Sequence, residues 1–135
     1  MAARLSPLER RAATATEDDA LCFWLGDKKH FGFAQAHGGR GFHIRKAKGQ
    51  NVTGFPDVLM QLPFRRLVRD GEPSELTVAI EIKIADDTLR PEQREVLDRF
   101  ERAGALAMVV RYGRLRPGEV DQDQAVKMIE ERLKG

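Results

Sequence analysis

Cysteine is nearly missing from this chain. Cys22 is the single one among 135 residues, so no disulfide can form within it, and a reducing compartment suits it. Histidine is also sparse. His30, His37 and His43 lack the close ligand spacing of a structural zinc site, and one cysteine does not complete it. No apolar run approaches the length of a membrane span, and the first residues carry no apolar stretch of the signal-peptide kind. A cytoplasmic protein without membrane contact is therefore expected. An excess of one charge is lacking too: 23 Lys and Arg stand against 21 Asp and Glu, so the net of +2 announces no polyanionic partner. Repeats and low-complexity segments are absent.

What the chain does have is enough apolar content for one core. With 41% hydrophobic residues over 135 positions, one domain spanning 1–135 is expected. Charge distribution says more than its total. From His37 to Lys48 there are four cations (Arg40, Arg45, Lys46, Lys48), two histidines and no acid. Arg65, Arg66 and Arg69 form a second basic run, explained equally well as a charged edge against aggregation.

Ser6-Pro7-Leu8-Glu9 has the form of a helix start, which gives a helical extension over 1–15 ahead of a core over about 16–134. Thr16-Glu17-Asp18-Asp19 repeats the signal, with Ala20, Leu21 and Trp24 at helical spacing and Gly26-Asp27 as a stop. His30 to Ala36 alternates as a strand would, with Phe31 and Phe33 on one face. A glycine-rich basic loop follows, holding a short strand at Phe42 to Arg45. Val58 to Leu62 and Leu76 to Ile84 are the clearest strands, joined through Asp70-Gly71. Pro91 opens a helix with Val96, Leu97, Phe100 and Ala103 in one stripe, closed by Gly104. Ala105 to Arg111 is a strand, and Asp121 or Asp123 caps a last helix with Val126, Ile129 and Leu133 inward. The order implies an α/β fold on a mixed sheet flanked by helices.

Two runs carry chemistry: Gly54-Phe55-Pro56-Asp57 and Glu81-Ile82-Lys83. In a strand, Glu81 and Lys83 point one way while Ile80, Ile82 and Ile84 point to a core. Burying an unpaired charge is expensive, so the two charges mark either a solvated face or a working site. Asp57 reads as a turn acid after proline or as a partner of Glu81. Because their strands are joined by a hairpin-like connection, pairing can bring both carboxylates to one hard divalent cation. Gln93 lies on the stripe facing the sheet, where a polar side chain needs a partner; the alternative is a helix-start residue bonding back to the cap.

Gly-x-Pro-Asp, Glu-x-Lys at a strand end, Leu89-Arg90-Pro91-Glu92-Gln93, and then Ala103-Gly104 before an apolar strand resemble the VRR-NUC branch of the PD-(D/E)XK nucleases over roughly Glu17 to Leu133. Arg90 stands where such nucleases often carry a helix-capping serine. The resemblance implies a restriction-endonuclease-like core, αβββαβ plus a C-terminal helix, and a Mg²⁺- or Mn²⁺-dependent DNA endonuclease selective for branched or junction DNA, acting as a homodimer. It implies Asp57, Glu81, Lys83 and Gln93 as catalytic residues. Asp57, Glu81, the Ile82 backbone carbonyl and a first-helix acid, Glu17, would hold the metal. Glu17 has an ordinary alternative, since acids favour the first turn of a helix; Glu9 is its backup and is explained by its capping position. Arg40, His43, Arg45, Lys46 and Lys48 form a phosphate-tracking surface leading into Asp57, or a solvated basic loop. The competing class is a catalytically inactive or accessory DNA-binding protein retaining the fold. A nuclease of RNA is disfavoured by the lack of aromatic platforms for splayed bases.

Overall fold

A computed structural model describes residues 32–43, 54–84 and 86–135. The expected helices over 1–15 and 16–26, together with Glu17, Arg45, Lys46 and Lys48, lie outside the described residues. The elements run α1 (Gly32–Ala36), β1 (Arg40–His43), β2 (Val58–Pro63), β3 (Glu75–Ile84), α2 (Pro91–Arg102), β4 (Leu106–Tyr112) and α3 (Gln122–Lys134). The strands form one sheet in the order β1-β2-β3-β4. The first three pair antiparallel and β4 joins β3 in parallel, so the sheet is mixed and α2 is its crossover.

Period-two burial explains both faces. Val58, Met60 and Leu62 of β2 meet Val78, Ile80 and Leu76 of β3 and Leu106, Met108 and Val110 of β4 in the larger core, closed by Ala125, Ile129 and Leu133 of α3. The opposite face carries a smaller core, where Ala79 and Val109 meet Leu97 of α2, with Leu59 and Phe100 packed alongside. Thus α3 covers one face and α2 the other, and neither face of β3 is left to water. Among the described residues no helix is long and apolar enough to cross a membrane.

Three expectations need correction. The segment expected as a strand over His30 to Ala36 contains a helix, Gly32–Ala36. Phe33 and Ala34 are both buried in the larger core, and a strand would send two sequence neighbours to opposite faces rather than into one core. The His37 Nδ1–H donates to the Phe33 carbonyl at 2.8 Å, and the two rings lie 4.4 Å apart, which fastens the end of this short helix. The outer strand starts at Arg40, two residues before the expected Phe42. Ala103, expected on the inward stripe, is exposed because it is the cap residue of α2.

Both long helices begin as their sequences predict. Asp121 Oδ1 accepts from the Gln124 N–H at 2.8 Å, and Gln124 Oε1 accepts from the Asp121 N–H at 2.9 Å. At α2 the cap residue Arg90 is extended (φ −79°, ψ 153°), and its N–H is taken by Gln93 Oε1 at 2.9 Å. The Arg90 side chain offers no acceptor to the first turn, where the Gln93 and Arg94 N–H groups share the Arg90 carbonyl. Arg90→Ser is therefore expected to stabilise the fold by about 1 kcal/mol. Urea denaturation checks this: a midpoint equal to or below that of the parent protein contradicts it.

Candidate active site at the end of strands β2 and β3

The Gly-Phe-Pro-Asp run works as a bracket that ties the entry to β2 against α2. Gly54 is buried with φ +85°, and a Cβ there would fall 2.5 Å from the Glu92 carbonyl oxygen. Only glycine lets the segment approach the start of α2 so closely. The Phe55 ring meets that of Phe100 edge-on, with centroids 5.6 Å apart. Pro56 is buried, and Asp57 emerges half-buried one residue before β2.

Pairing does the rest. Val58 stands opposite Ile80, so the residue before Val58 comes opposite Glu81 on the α2 face of the sheet. Asp57 Oδ2 accepts a hydrogen bond from the backbone N–H of Ile82 at 2.8 Å, which fixes the carboxylate at the end of the β2–β3 ladder. The N–H and C=O of one strand residue point to the same side, so the Ile82 carbonyl is turned toward that side of β3 as well.

Glu81 and Lys83 do not form a solvated face. Glu81 is 2% exposed and Lys83 7%. Lys83 Nζ lies 3.9 Å from Glu81 Oε1, and Gln93 Nε2 donates to the same oxygen at 3.2 Å. Gln93 therefore bonds in two directions, back to the helix start and across to the sheet. Its Oε1 accepts from the Arg90 N–H at the helix start while its Nε2 holds the buried carboxylate.

The expected phosphate contacts fare differently. Arg40 sits on β1 in register with Gln61, three residues from the Asp57 end of the ladder. There its Nε donates to Gln61 Oε1 at 3.0 Å and its Nη2 lies 3.8 Å from Glu75 Oε1. His43 pairs with Val58, which brings its backbone to the Asp57 end.

Arg111, the next member of this row, is not among the residues the sequence singles out. In β4 it stands opposite Lys83, is 1% exposed, and forms a two-pronged pair with Glu119 at 2.5 and 2.8 Å. Its Nη2 also donates to the Asp87 carbonyl at 2.7 Å, and Arg116 donates to the Asp86 carbonyl at 3.1 Å. The two arginines thus fasten the connection that follows Lys83. A lone charge among Ala107, Val109 and Arg111, the alternate residues of an apolar strand, is the signal that could have marked it.

The donor set suits a hard cation. Asp57 and Glu81 supply oxygen only, and with Lys83 their side chains sum to one negative charge. Among the described residues no three His, Cys, Asp or Glu side chains gather into a metal-binding group. Magnesium is commonly held by one or two carboxylates with water and substrate phosphate, and two acids and a carbonyl are donors of that kind. No family model matches the chain, and no curated protein or solved structure matches it.

The Arg111–Glu119 pair makes stability depend on pH. The hydrogen bond from Arg111 holds the Glu119 carboxyl below the usual carboxylate range, against the effect of burial, and the same bond raises Arg111. A carboxyl lowered by folding stabilises at pH above its unfolded value, about 4.3, and that contribution is lost as pH falls through the lower folded value. Glu119→Gln leaves a buried guanidinium without its counter-charge and is expected to cost about 3–5 kcal/mol at pH 7. The gap from the parent should begin to narrow as pH falls below about 4.3 in urea titrations; a gap constant from pH 7 to about pH 3 contradicts the assignment.

Proposed function

We propose that this chain is a divalent-metal-dependent DNA endonuclease of the PD-(D/E)XK type, in its VRR-NUC branch. The observation that carries the reading is the juxtaposition of Asp57 and Glu81 on one face, with buried Lys83 and Gln93 both on Glu81 Oε1. Strand order supports it: three antiparallel strands, then a helix and a parallel fourth strand, is the arrangement the restriction-endonuclease-like core requires. Branched or junction DNA is the proposed substrate and a homodimer in the cytoplasm the proposed form, since paired cuts by a single-site domain are most simply made by two copies.

Asp57, Glu81 and the Ile82 carbonyl would hold Mg²⁺ or Mn²⁺, with Glu17, which lies outside the described residues, proposed as a further ligand. When bound, the metal supplies an activated water and neutralises charge developing on the phosphate. The remaining work falls to the chain's own side chains. The Ile82 N–H and Gln93 Nε2 fix the two carboxylates, so that neither must reorganise when substrate arrives. The Lys83 ammonium, within the same face, orients the attacking water or holds the phosphate oxygen. The basic residues Arg40, His43, Arg45, Lys46 and Lys48 remain the proposed track for the DNA backbone. A pure binding module that kept the fold is disfavoured, because two acids facing a polyanion weaken binding and serve only chemistry.

Asp57→Asn and Glu81→Gln keep size and hydrogen bonding but remove a negative oxygen donor. Each is expected to abolish cleavage of a four-way junction in Mg²⁺ while leaving junction binding in EDTA intact. Cleavage at the parental rate in either variant, or in EDTA, would sink the nuclease reading.

Lys83 is tested separately by single-turnover cleavage with metal saturating. Lys83→Ala should slow the bound-state step about 10²- to 10⁴-fold, and Lys83→Arg should not restore it fully. A rate within a few-fold of the parent would leave Lys83 only as the buried counter-charge of Glu81.

A further inference from the structure

The connection between β2 and β3 carries Arg65-Arg66-Leu67-Val68-Arg69 at the end of the sheet away from Asp57 and Glu81. Because β2 and β3 are the two inner strands, these arginines guard no sheet edge, and protection against edge pairing does not explain them. The connection is braced. The Arg65 N–H donates to the Leu133 carbonyl of α3 at 2.9 Å, and the Glu72 N–H closes a turn onto the Arg69 carbonyl at 3.0 Å. Arg66 is turned inward over the Phe64 ring, 4.6 Å from its centroid, and pairs with Glu72 at 2.8 Å. The same guanidinium donates to the Leu67 carbonyl at 3.2 Å. With the backbone held from inside, the Leu67 side chain is presented outward, 94% exposed, between exposed Arg65 and Arg69. A cavity of about 520 Å³ adjoins it, lined in part by Arg66, Arg69, Arg132 and Glu72, which sum to two positive charges.

We propose that this connection is a second nucleic-acid contact, in which Arg65, Arg69 and Arg132 take phosphates and Leu67 packs on the face of an unpaired or unstacked base. The proposal rests on the DNA reading above and gives it a physical reason for preferring branched or distorted substrates. Apolar side chains such as leucine insert between base steps in proteins whose basic side chains hold the DNA backbone, and a step already unstacked costs less to enter. Other occupants fit less well. One exposed leucine offers less apolar area than an acyl chain, and a single acyl chain holds a protein to lipid only marginally. A specific protein interface buries more than about 1,000 Å² in total, which Leu67 and half-covered Val68 do not approach. Self-docking of this face would set the two arginine groups against each other. From Glu75 to Glu81, β3 advances six residues, about 20 Å at the strand rise. That is roughly six nucleotide steps, within one short DNA arm.

The test is binding in EDTA by fluorescence anisotropy, using a four-way junction with 2-aminopurine at the branch point and a matched duplex. Arg65→Ala with Arg69→Ala is expected to lower the slope of log affinity against log salt by about 1.8, near 0.9 for each phosphate no longer neutralised. Leu67→Ala should keep that slope, weaken junction binding about tenfold, leave duplex binding unchanged, and remove the rise in 2-aminopurine fluorescence. Wild-type behaviour of both variants overturns the proposal. So does a Leu67→Ala protein that binds junctions normally but no longer binds phosphatidylserine vesicles, or one that sediments as a smaller species. The two readings fail separately. Junction binding that weakens as expected in these variants, with no cleavage by the parent protein in Mg²⁺, supports this surface and defeats the nuclease. Cleavage with unaffected binding in the variants defeats this surface alone.

Discussion

The register of β2 against β3 is the constraint on which the site depends. Val58 opposite Ile80 brings Asp57 opposite Glu81. A slip of one residue would send one of the two carboxylates to the other face of the sheet. Burial on both sides prevents it: Val58, Met60 and Leu62 must meet the larger core, while Leu59 packs against the smaller one under α2. The hydrogen bond from the Ile82 N–H to Asp57 then closes the end of the ladder with a side chain in place of a strand neighbour. Hydrophobic alternation, which carries no chemical information, thereby positions the groups that do.

On the α2 face the character of the sheet changes along its strands. Ala79, Val109 and Leu97 form an apolar half, and the next residues, Glu81, Lys83 and Arg111, are charged and nearly as buried. A row of acid, lysine, arginine and acid is costly to desolvate and adds little stability over an apolar equivalent. Its order, with Lys83 on Glu81 and Arg111 on Glu119, gives each cation a counter-charge. It also ties the start of α2, the connection after β3 and the segment after β4 to one place. Buried, paired charges grouped at the end of a sheet are what an apolar core avoids.

Much of this is legible in the sequence because its periodicities are strong. Ten residues of β3 alternate cleanly, so the shared face of Glu81 and Lys83 can be read directly, as can the capping signals at Pro91 and Asp121. The role of Gly54 is hidden, since its requirement comes from the Glu92 backbone, a contact set by tertiary packing. The helix at Gly32–Ala36 differs from the strand expected there because five residues beside two aromatic positions fit either period. Arg111 escapes a sequence reading for a related reason. Its partner Glu119 lies beyond a turn after β4, and pairing across that turn is a property of the fold. Burial of Glu81 and Lys83 is also beyond the sequence, which leaves a solvated face open until α2 is seen to cover them.

On the proposed reading, Asp57 and Glu81 serve one metal. Diffraction from crystals grown with Mn²⁺, with an anomalous map at the manganese edge, tests it most directly. A shared metal gives a peak within bonding distance of both carboxylates and of the Ile82 carbonyl oxygen. A manganese peak held elsewhere, or none beside these carboxylates in protein that cleaves DNA with Mn²⁺, would contradict it.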